Sequence, residues 1–319
     1  MWLKLLLALL FTLSLLGAFV LKSAGRRAPE QNDHDDGSVD IASRFRLLTW
    51  NIGNGDLESE TRAHDEDLAA VAQVILDNDA DAVALQELTG DGQLKLLLSH
   101  LDNRYRGYVS KPGSGDRVEA VLIKSQPELK PRQRTARVDP GEDRVRFKDA
   151  RFDDMRFNDV RFHNVRFHNV PAGDRFAAAA AFRLLPDSPV VVIVSAHADA
   201  FNAARRRVFA ADLVDWTRNQ TTVEAFIAGD FNFEVSTRNR NNLFTDDAKN
   251  DSESYAYLLQ HFRDLGLEAG ETSINDRRID YVFGPAAGVS LRRAAVLRDA
   301  AVGRMDHWPL LVEVGFDRP

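Results

Sequence analysis

Eight residues near the ends of apolar runs are of the types that phosphate-ester hydrolysis uses: Asn51, Glu87, His197, Asp230, Asn232, Asp280, Asp306 and His307. The four acids are hard oxygen donors and the two asparagines neutral amides. The two histidines can carry a proton or donate to a phosphate oxygen. The chain has no cysteine, and only two of the eight are histidines, so the set suits Mg2+ or Mn2+ far better than a structural zinc. Such a set points to metal-assisted hydrolysis, with the protein placing a water in line with the phosphorus.

Residues of this kind need rigid elements to hold them, and the pattern from Arg44 onward alternates strands with helices. Residues 45–50 form an apolar run ending at Asn51. A helical face of Leu68, Val71, Ala72, Ile75 and Leu76 follows, and residues 81–85 lead into Gln86 and Glu87. Residues 190–196 read as a buried strand ending at His197, and a helix is expected over residues 202–219. Residues 223–229 run into Asp230-Phe231-Asn232, Asp280 sits inside the apolar run 279–283, and Met305-Asp306-His307-Trp308-Pro309 opens a last strand at 310–314. Strand ends are where sheet-based enzymes gather functional groups, because the sheet fixes position while the loops stay open.

Each element also has a plain structural reading. Glu87 suits a solvated loop, Asp230 and Asn232 suit an Asx turn, Asp306 and His307 suit a strand cap, and Asp280 suits a buried acid paired with Arg277 or Arg278. The combination says more than its parts. In this order, Thr49-Trp50-Asn51-Ile52, Leu85-Gln86-Glu87, Ser195-Ala196-His197, Gly229-Asp230-Phe231-Asn232, Ile279-Asp280-Tyr281 and Asp306-His307-Trp308-Pro309 resemble the endonuclease/exonuclease/phosphatase superfamily.

The resemblance implies a DNase I-like α/β (α+β) fold, a four-layer sandwich of two mostly antiparallel sheets flanked by helices, with the site at one end of the sheets. It implies Glu87 as the principal Mg2+ ligand, supported by Asn51 and Asp306. Asp230 would orient or deprotonate the attacking water with help from Asn232. His307, held by Asp280, would contact the phosphate, and His197 would stabilise the phosphate or assist the leaving group. Two departures stand out: Met305 replaces the small residue common before the final Asp-His, and Gly53 stands where some nucleases place an acidic ligand, with Asp56 nearby as a substitute. The activity implied is phosphoester hydrolysis, with a phosphodiesterase acting on nucleic acid, phospholipid or a small phosphodiester ahead of a phosphomonoesterase. A non-catalytic binding module is the alternative, and the intact set of acids argues against it.

Composition bounds the partners. The chain nets −7, and from Arg44 onward 37 basic face 43 acidic residues, a net of −6. That gives no general attraction for a long polyanion. Arg205, Arg206 and Arg207, at the start of a helix, are candidate local cations for the substrate, although at such a position they more often form a solvated face. Residues 1–27 carry four basic and no acidic residues, with 17 uncharged residues at 5–21, about 25 Å as a helix. They read as a signal peptide or an N-terminal membrane anchor, which places the protein in the cell envelope or outside the cytoplasm. Residues 28–43 read as an acidic linker and 44–319 as the catalytic domain.

Within that domain, residues 145–169 repeat Arg-Phe five times at a spacing of five. That period suits neither a strand nor a helix and resembles a pentapeptide repeat. Five units make too few coils to bury their own phenylalanines, so an insertion docked on the domain or on a partner is favoured. The alternative is substrate contact through Arg146, Arg151, Arg156, Arg161 and Arg166.

Overall fold

The computed structural model describes residues 44–53, 63–113, 117–125, 162–184, 188–220, 223–235, 248–274, 276–300, 302–303 and 305–317. The expected leader or anchor (1–27), the acidic linker (28–43), Asp56 and residues 145–161 of the repeat lie outside them. Among the described residues, no helix is long and apolar enough to cross a membrane.

In chain order the elements are β1 (Phe45–Asn51), α1 (Ala63–Asp77), β2 (Ala82–Leu88), α2 (Asp91–His100), β3 (Tyr105–Val109), β4 (Val118–Lys124), β5 (His163–Ala172), β6 (Arg175–Arg183), β7 (Val190–His197), α3 (Ala203–Arg218), β8 (Val223–Asp230), α4 (Ala248–Leu259), β9 (Phe262–Asp264), β10 (Asp280–Pro285), β11 (Val289–Val296) and β12 (Leu310–Phe316). They form two six-stranded sheets, ordered β11-β12-β1-β2-β4-β3 and β5-β6-β7-β8-β10-β9. Each sheet has one parallel pair, β1 with β2 and β7 with β8, and is otherwise antiparallel. Parallel neighbours need a long crossover. Helix α1 supplies it in the first sheet and α3 in the second, as the periodicity of residues 68–76 and 202–219 predicts.

Period-two alternation sorts the strand residues into layers. Phe45 and Leu47 of β1, Val121 and Ile123 of β4, Val191 and Ile193 of β7, Phe226 and Ala228 of β8, and Val282 of β10 meet between the sheets. Leu48, Trp50, Val83 and Leu85 pack outward with Leu68, Val71 and Ile75 of α1. Val192, Val194, Ala225 and Ile227 pack outward with Phe209 and Leu213 of α3. The four-layer sandwich expected from the resemblance is therefore present. Along the inner face the apolar series ends in polar residues at the same edge of both sheets: Asn51 after Leu47, Glu119 before Val121, His197 after Ile193, Asp230 after Ala228 and Asp280 before Val282. The site is the polar end of an otherwise apolar seam.

One glycine is required for that convergence. Gly229 has φ +151°, and a Cβ there would lie 1.9 Å from the Ala196 carbonyl oxygen. Strands β7 and β8 thus approach too closely for any side chain just before Asp230.

The last repeat units depart from the pentapeptide expectation. Residues 163–169 are part of the edge strand β5, paired antiparallel with β6, and Asn164 sits in a β-bulge at φ +57°. The bulge adds one residue to the strand, which turns a spacing of five into the same face twice. Phe162 and Phe167 consequently both face the inner core: Phe162 meets Phe182 at 4.8 Å between ring centroids, and Phe167 stacks on Tyr108 of β3. Arg166 is exposed.

Candidate active site

The two parallel pairs bring Asn51, Glu87, His197 and Asp230 to one end of the seam. Asn51 sits between the carboxylates, donating from Nδ2 to Glu87 Oε1 at 2.9 Å and to Asp230 Oδ2 at 3.0 Å. Its Oδ1 accepts the Gly53 N–H at 2.8 Å. A side chain at Gly53 would press within 3.0 Å of Asn51 Oδ1 and 3.2 Å of Glu87 Oε2, so the acid found there in some nucleases has little room here.

Glu87 could not be placed by alternation alone. It follows Val83 and Leu85 on the outward-facing parity, but the β2–β4 register shifts between Leu85 and Leu88, and Glu87 takes φ +61°. This left-handed turn redirects the carboxylate toward Asn51. A non-glycine residue held there carries strain of order 1–3 kcal/mol, a feature that clusters at functional sites. Beneath it, Gln86 points inward and donates to Ser195 Oγ on β7, while Ser195 donates to the Leu85 carbonyl, tying the sheets together under the site.

Asp230 is flanked by two imidazoles. His197 Nε2 lies 3.7 Å from Asp230 Oδ2 and 3.6 Å from Glu87 Oε1. His307 Nε2 lies 3.7 Å from the same Asp230 oxygen and 3.9 Å from Asp306 Oδ1. Each ring has a carboxylate behind it. Asp280 Oδ2 bonds His307 Nδ1 at 2.8 Å, and Glu119 Oε1 stands 3.7 Å from His197 Nδ1. The Asx turn also forms, because Asp230 Oδ1 accepts the Asn232 N–H at 2.8 Å. Asn232, at φ +53°, donates from its side chain to the Ala198 carbonyl and so ties this turn to the His197 loop. Of the partners weighed for Asp280, Arg278 gives way to His307. Arg278 bonds Asp264 and Glu234, and Thr272 Oγ1 accepts the Asp280 N–H at 3.0 Å.

The electrostatics separate the two histidines. Burial would lower the His307 pKa, but Asp280 and Asp230 outweigh it and push it up to about 10. For His197 burial wins over Asp230 and Glu87, and its pKa falls. One imidazole is therefore charged and the other neutral at pH 7. Burial also opposes ionisation of Glu87, but His197, the Asn51 amide, His307 and Arg117 hold its carboxyl below the usual range. Burial raises Asp230.

Among the described residues, two groups of ligand atoms lie within 4.8 Å of one another: Glu87, His197 and Asp230, and Asp230, Asp280 and His307. The first joins an ionised carboxylate to a neutral imidazole, which fits a divalent cation. Asp306 is exposed beside His307, and Met305 packs against the outer layer with α1.

Glu119 has no counterpart among the sequence motifs. It is buried on β4, accepts from Ser110 Oγ at 2.9 Å, and burial pushes its carboxyl up to about 8. Its signal was an acid inside the apolar run of residues 118–123, the same mark that exposed Asp280. Arg175, at the start of β6, also adds its field to Glu119, His197 and Asp199.

The expectation that Arg206 contacts substrate is corrected. Arg206 is 1% exposed, and its guanidinium bonds Asp251 at 2.8 Å and the carbonyls of Asp199 and Ala200. It buttresses α3 against α4, because a buried guanidinium must spend its donors on protein acceptors. Arg205 is exposed but paired with Asp174 and Asp199, and Arg207 pairs with Glu253.

Glu119 makes stability pH-dependent. Its folded pKa is raised from 4.5 to about 8, so its contribution is full below pH 4.5 and is lost as pH rises toward 8. The slope in that window is about 1.4 kcal/mol per pH unit. Glu119→Gln stays neutral throughout. Thermal melting across this range is expected to show a flatter decline for Glu119→Gln than for wild type; parallel curves for the two proteins would refute the assignment.

Two six-stranded sheets packed face to face between helices, with carboxylates, amides and two acid-backed histidines at one end, define a phosphoester hydrolase of the DNase I-like fold. The model of the endonuclease/exonuclease/phosphatase family matches residues 48–308, and the chain belongs to that family. No curated protein matches the chain. Among solved structures, it is similar to a family protein from Bacteroides thetaiotaomicron at 15% identity and TM-score 0.62, over 86% of this chain and 99% of that one. The human Nocturnin catalytic domain with bound sulfate matches at 17% and 0.58, over 86% and 95%. A mannosyl-6-phosphatase from Bacteroides thetaiotaomicron VPI-5482 matches at 15% and 0.59, over 85% and 100%. At these identities the likeness concerns the fold.

Proposed function

We propose that the protein is a Mg2+-dependent phosphodiesterase in which Asp230 prepares the attacking water. The observation that carries this reading is the position of Asp230 Oδ2, 3.7 Å from the Nε2 atoms of both His197 and His307 and bonded to Asn51. Glu87 is the carboxylate best prepared to hold the cation, with Asp230 beside it, Asn51 behind and Asp306 at the mouth. When bound, the ion supplies positive charge against the developing charge on the phosphoryl oxygens.

The chain's own groups do the rest. Asp230, buried and raised, accepts a proton from water, and Asn232 fixes the turn that aims it. His307 is charged and donates from Nε2 to a phosphoryl oxygen, since Asp280 occupies Nδ1. His197, neutral at Nε2, faces the same space and is suited to move a proton to or from the leaving oxygen.

A diester carries one negative charge where a monoester carries nearly two. Among the described residues, the cations whose charge acts on the site are His307, Arg117 and Arg175. A set of that size matches the single charge of a diester. Turnover of bis(p-nitrophenyl) phosphate and p-nitrophenyl phosphate should be measured with Mg2+ and with chelator. Chelator-sensitive cleavage, faster on the diester, is expected. Cleavage that persists without metal, or none of either ester, would refute the reading, and a monoester preference would replace it with a phosphatase.

A further inference from the structure

A cavity of about 460 Å³ opens at the end of the second sheet opposite the active site. Strand β8 runs from Ala225 on the cavity wall to Asp230 in the site, about 17 Å at the rise of a strand. Its neighbour β10 carries Asp280 at one end and Pro285, another wall residue, at the other. Helices α3 and α4 both end beside it. None of the residues placed in the active site lines the cavity, and its volume falls in the range of small-molecule sites, roughly 300–1,000 Å³.

The walls are of two kinds. Ala225 and Phe262 are buried and with Pro285 give an apolar floor, while Arg218, Gln220 and His261 supply polar groups around it. An arginine in the last turn of a helix ordinarily answers the partial negative charge of that end. At α3 the free carbonyls are already met. The Asn219 N–H bonds the Asp215 carbonyl at 3.1 Å, the Gln220 N–H bonds the Thr217 carbonyl at 3.2 Å, and Gln220 Nε2 bonds the Trp216 carbonyl at 3.3 Å. At α4 the N–H groups of Gln260 and His261 take the carbonyls of Tyr257 and Leu258. Among the described residues, Arg218 has no ion-pair or hydrogen-bond partner, and the His261 imidazole meets only the Tyr257 ring, at 5.2 Å between centroids.

These groups select the chemistry of an occupant. A guanidinium fork matches the two oxygens of a carboxylate in parallel, one fixed positive charge matches one negative charge, and the apolar floor takes a flat body. The two helix ends oppose an anion only weakly, because capped and solvent-screened dipoles count for less than a bidentate charge-assisted bond. A single guanidinium suits a doubly charged phosphomonoester less well.

We propose that this cavity is a second ligand site, remote from the active site, that takes a small aromatic carboxylate. Arg218 holds the carboxylate, His261 donates to it, and the ring lies on the floor formed by Phe262, Ala225 and Pro285. The inference is independent of the phosphodiesterase reading. The probe is 2-naphthoate, with 2-naphthamide as its uncharged counterpart, titrated calorimetrically into the full chain in the presence of chelator. Saturable binding of the naphthoate, about tenfold tighter than the amide, is expected. Arg218→Gln should weaken naphthoate about tenfold, the worth of one charge-assisted contact, and leave the amide unchanged. Ala286→Trp, at an exposed wall residue, should abolish binding of both with the melting temperature unchanged. Glu87→Gln should bind both as the wild type does. Absence of naphthoate binding, equal binding of the amide, or binding that both cavity variants leave unchanged overturns the inference. So does a loss of binding in Glu87→Gln, which would place the probe in the active site. A dimer in sedimentation that Ala286→Trp dissociates would overturn it too, by assigning the cavity to a second copy of the chain.

Discussion

Replacing Glu87 with glutamine is expected to lower kcat/KM by roughly a thousandfold, about 4 kcal/mol of transition-state stabilisation. The substitution is nearly isosteric and keeps an oxygen to accept the Asn51 amide at the 2.9 Å position, so it isolates the charge. Glu87 is the carboxylate that His197, Asn51, His307 and Arg117 together hold ionised, which is the condition for binding a hard cation. Glu87→Ala should lose as much or more. It also keeps a side chain at φ +61°, where Glu87→Gly would relieve backbone strain. The measurement is kcat/KM against Mg2+ concentration, with melting temperature as the control. Saturation that recovers at high Mg2+ would show weakened metal binding. Near wild-type activity at all concentrations would remove Glu87 from the mechanism.

The second large effect concerns His307 and its backing acid. His307→Ala should cost roughly 10³ to 10⁴ in kcat, the range for losing a charged donor that also handles protons. Asp280→Asn tests the cause more finely. Asp280 bonds Nδ1 at 2.8 Å and is the main charge holding the imidazole protonated up to about pH 10. Because the folded pKa is raised, the charged form is fully present below the ordinary value of 6.5 and is lost as pH rises through about 10. Removing the Asp280 charge lowers that upper boundary. The alkaline limb of the pH–rate profile in Asp280→Asn is expected to move toward neutral pH, with kcat reduced roughly a hundredfold at pH 8. An alkaline limb that stays in place would show that Asp280 does not set the charge of His307.

The first sheet-to-helix alternation and the ends of β1, β7, β8 and β10 were legible because strand periodicity is local. Asn51, His197, Asp230 and Asp280 share parity with the inner-core residues of their own strands, and that parity is visible in the residue order. Long-range pairing is not. Glu119 lies 78 residues before His197, and only the approach of the two sheets makes it that histidine's neighbour. Arg206 carried the same sequence signal as Arg205 and Arg207, yet its place on α3 turns it inward to Asp251. The last units of the Arg-Phe repeat depart from a pentapeptide coil for a related reason. One left-handed residue at Asn164 changes which face every later residue takes, and neither composition nor period records a bulge.

The types of the reacting groups, their order and the sheets that carry them were therefore determined by the sequence, since each follows from local alternation and motif. Which acid backs which histidine, how Glu87 turns toward Asn51 and which arginine is buried were decided by the tertiary structure alone. Those outcomes depend on distances between strands remote in the chain and on single backbone conformations that only the packed sandwich selects.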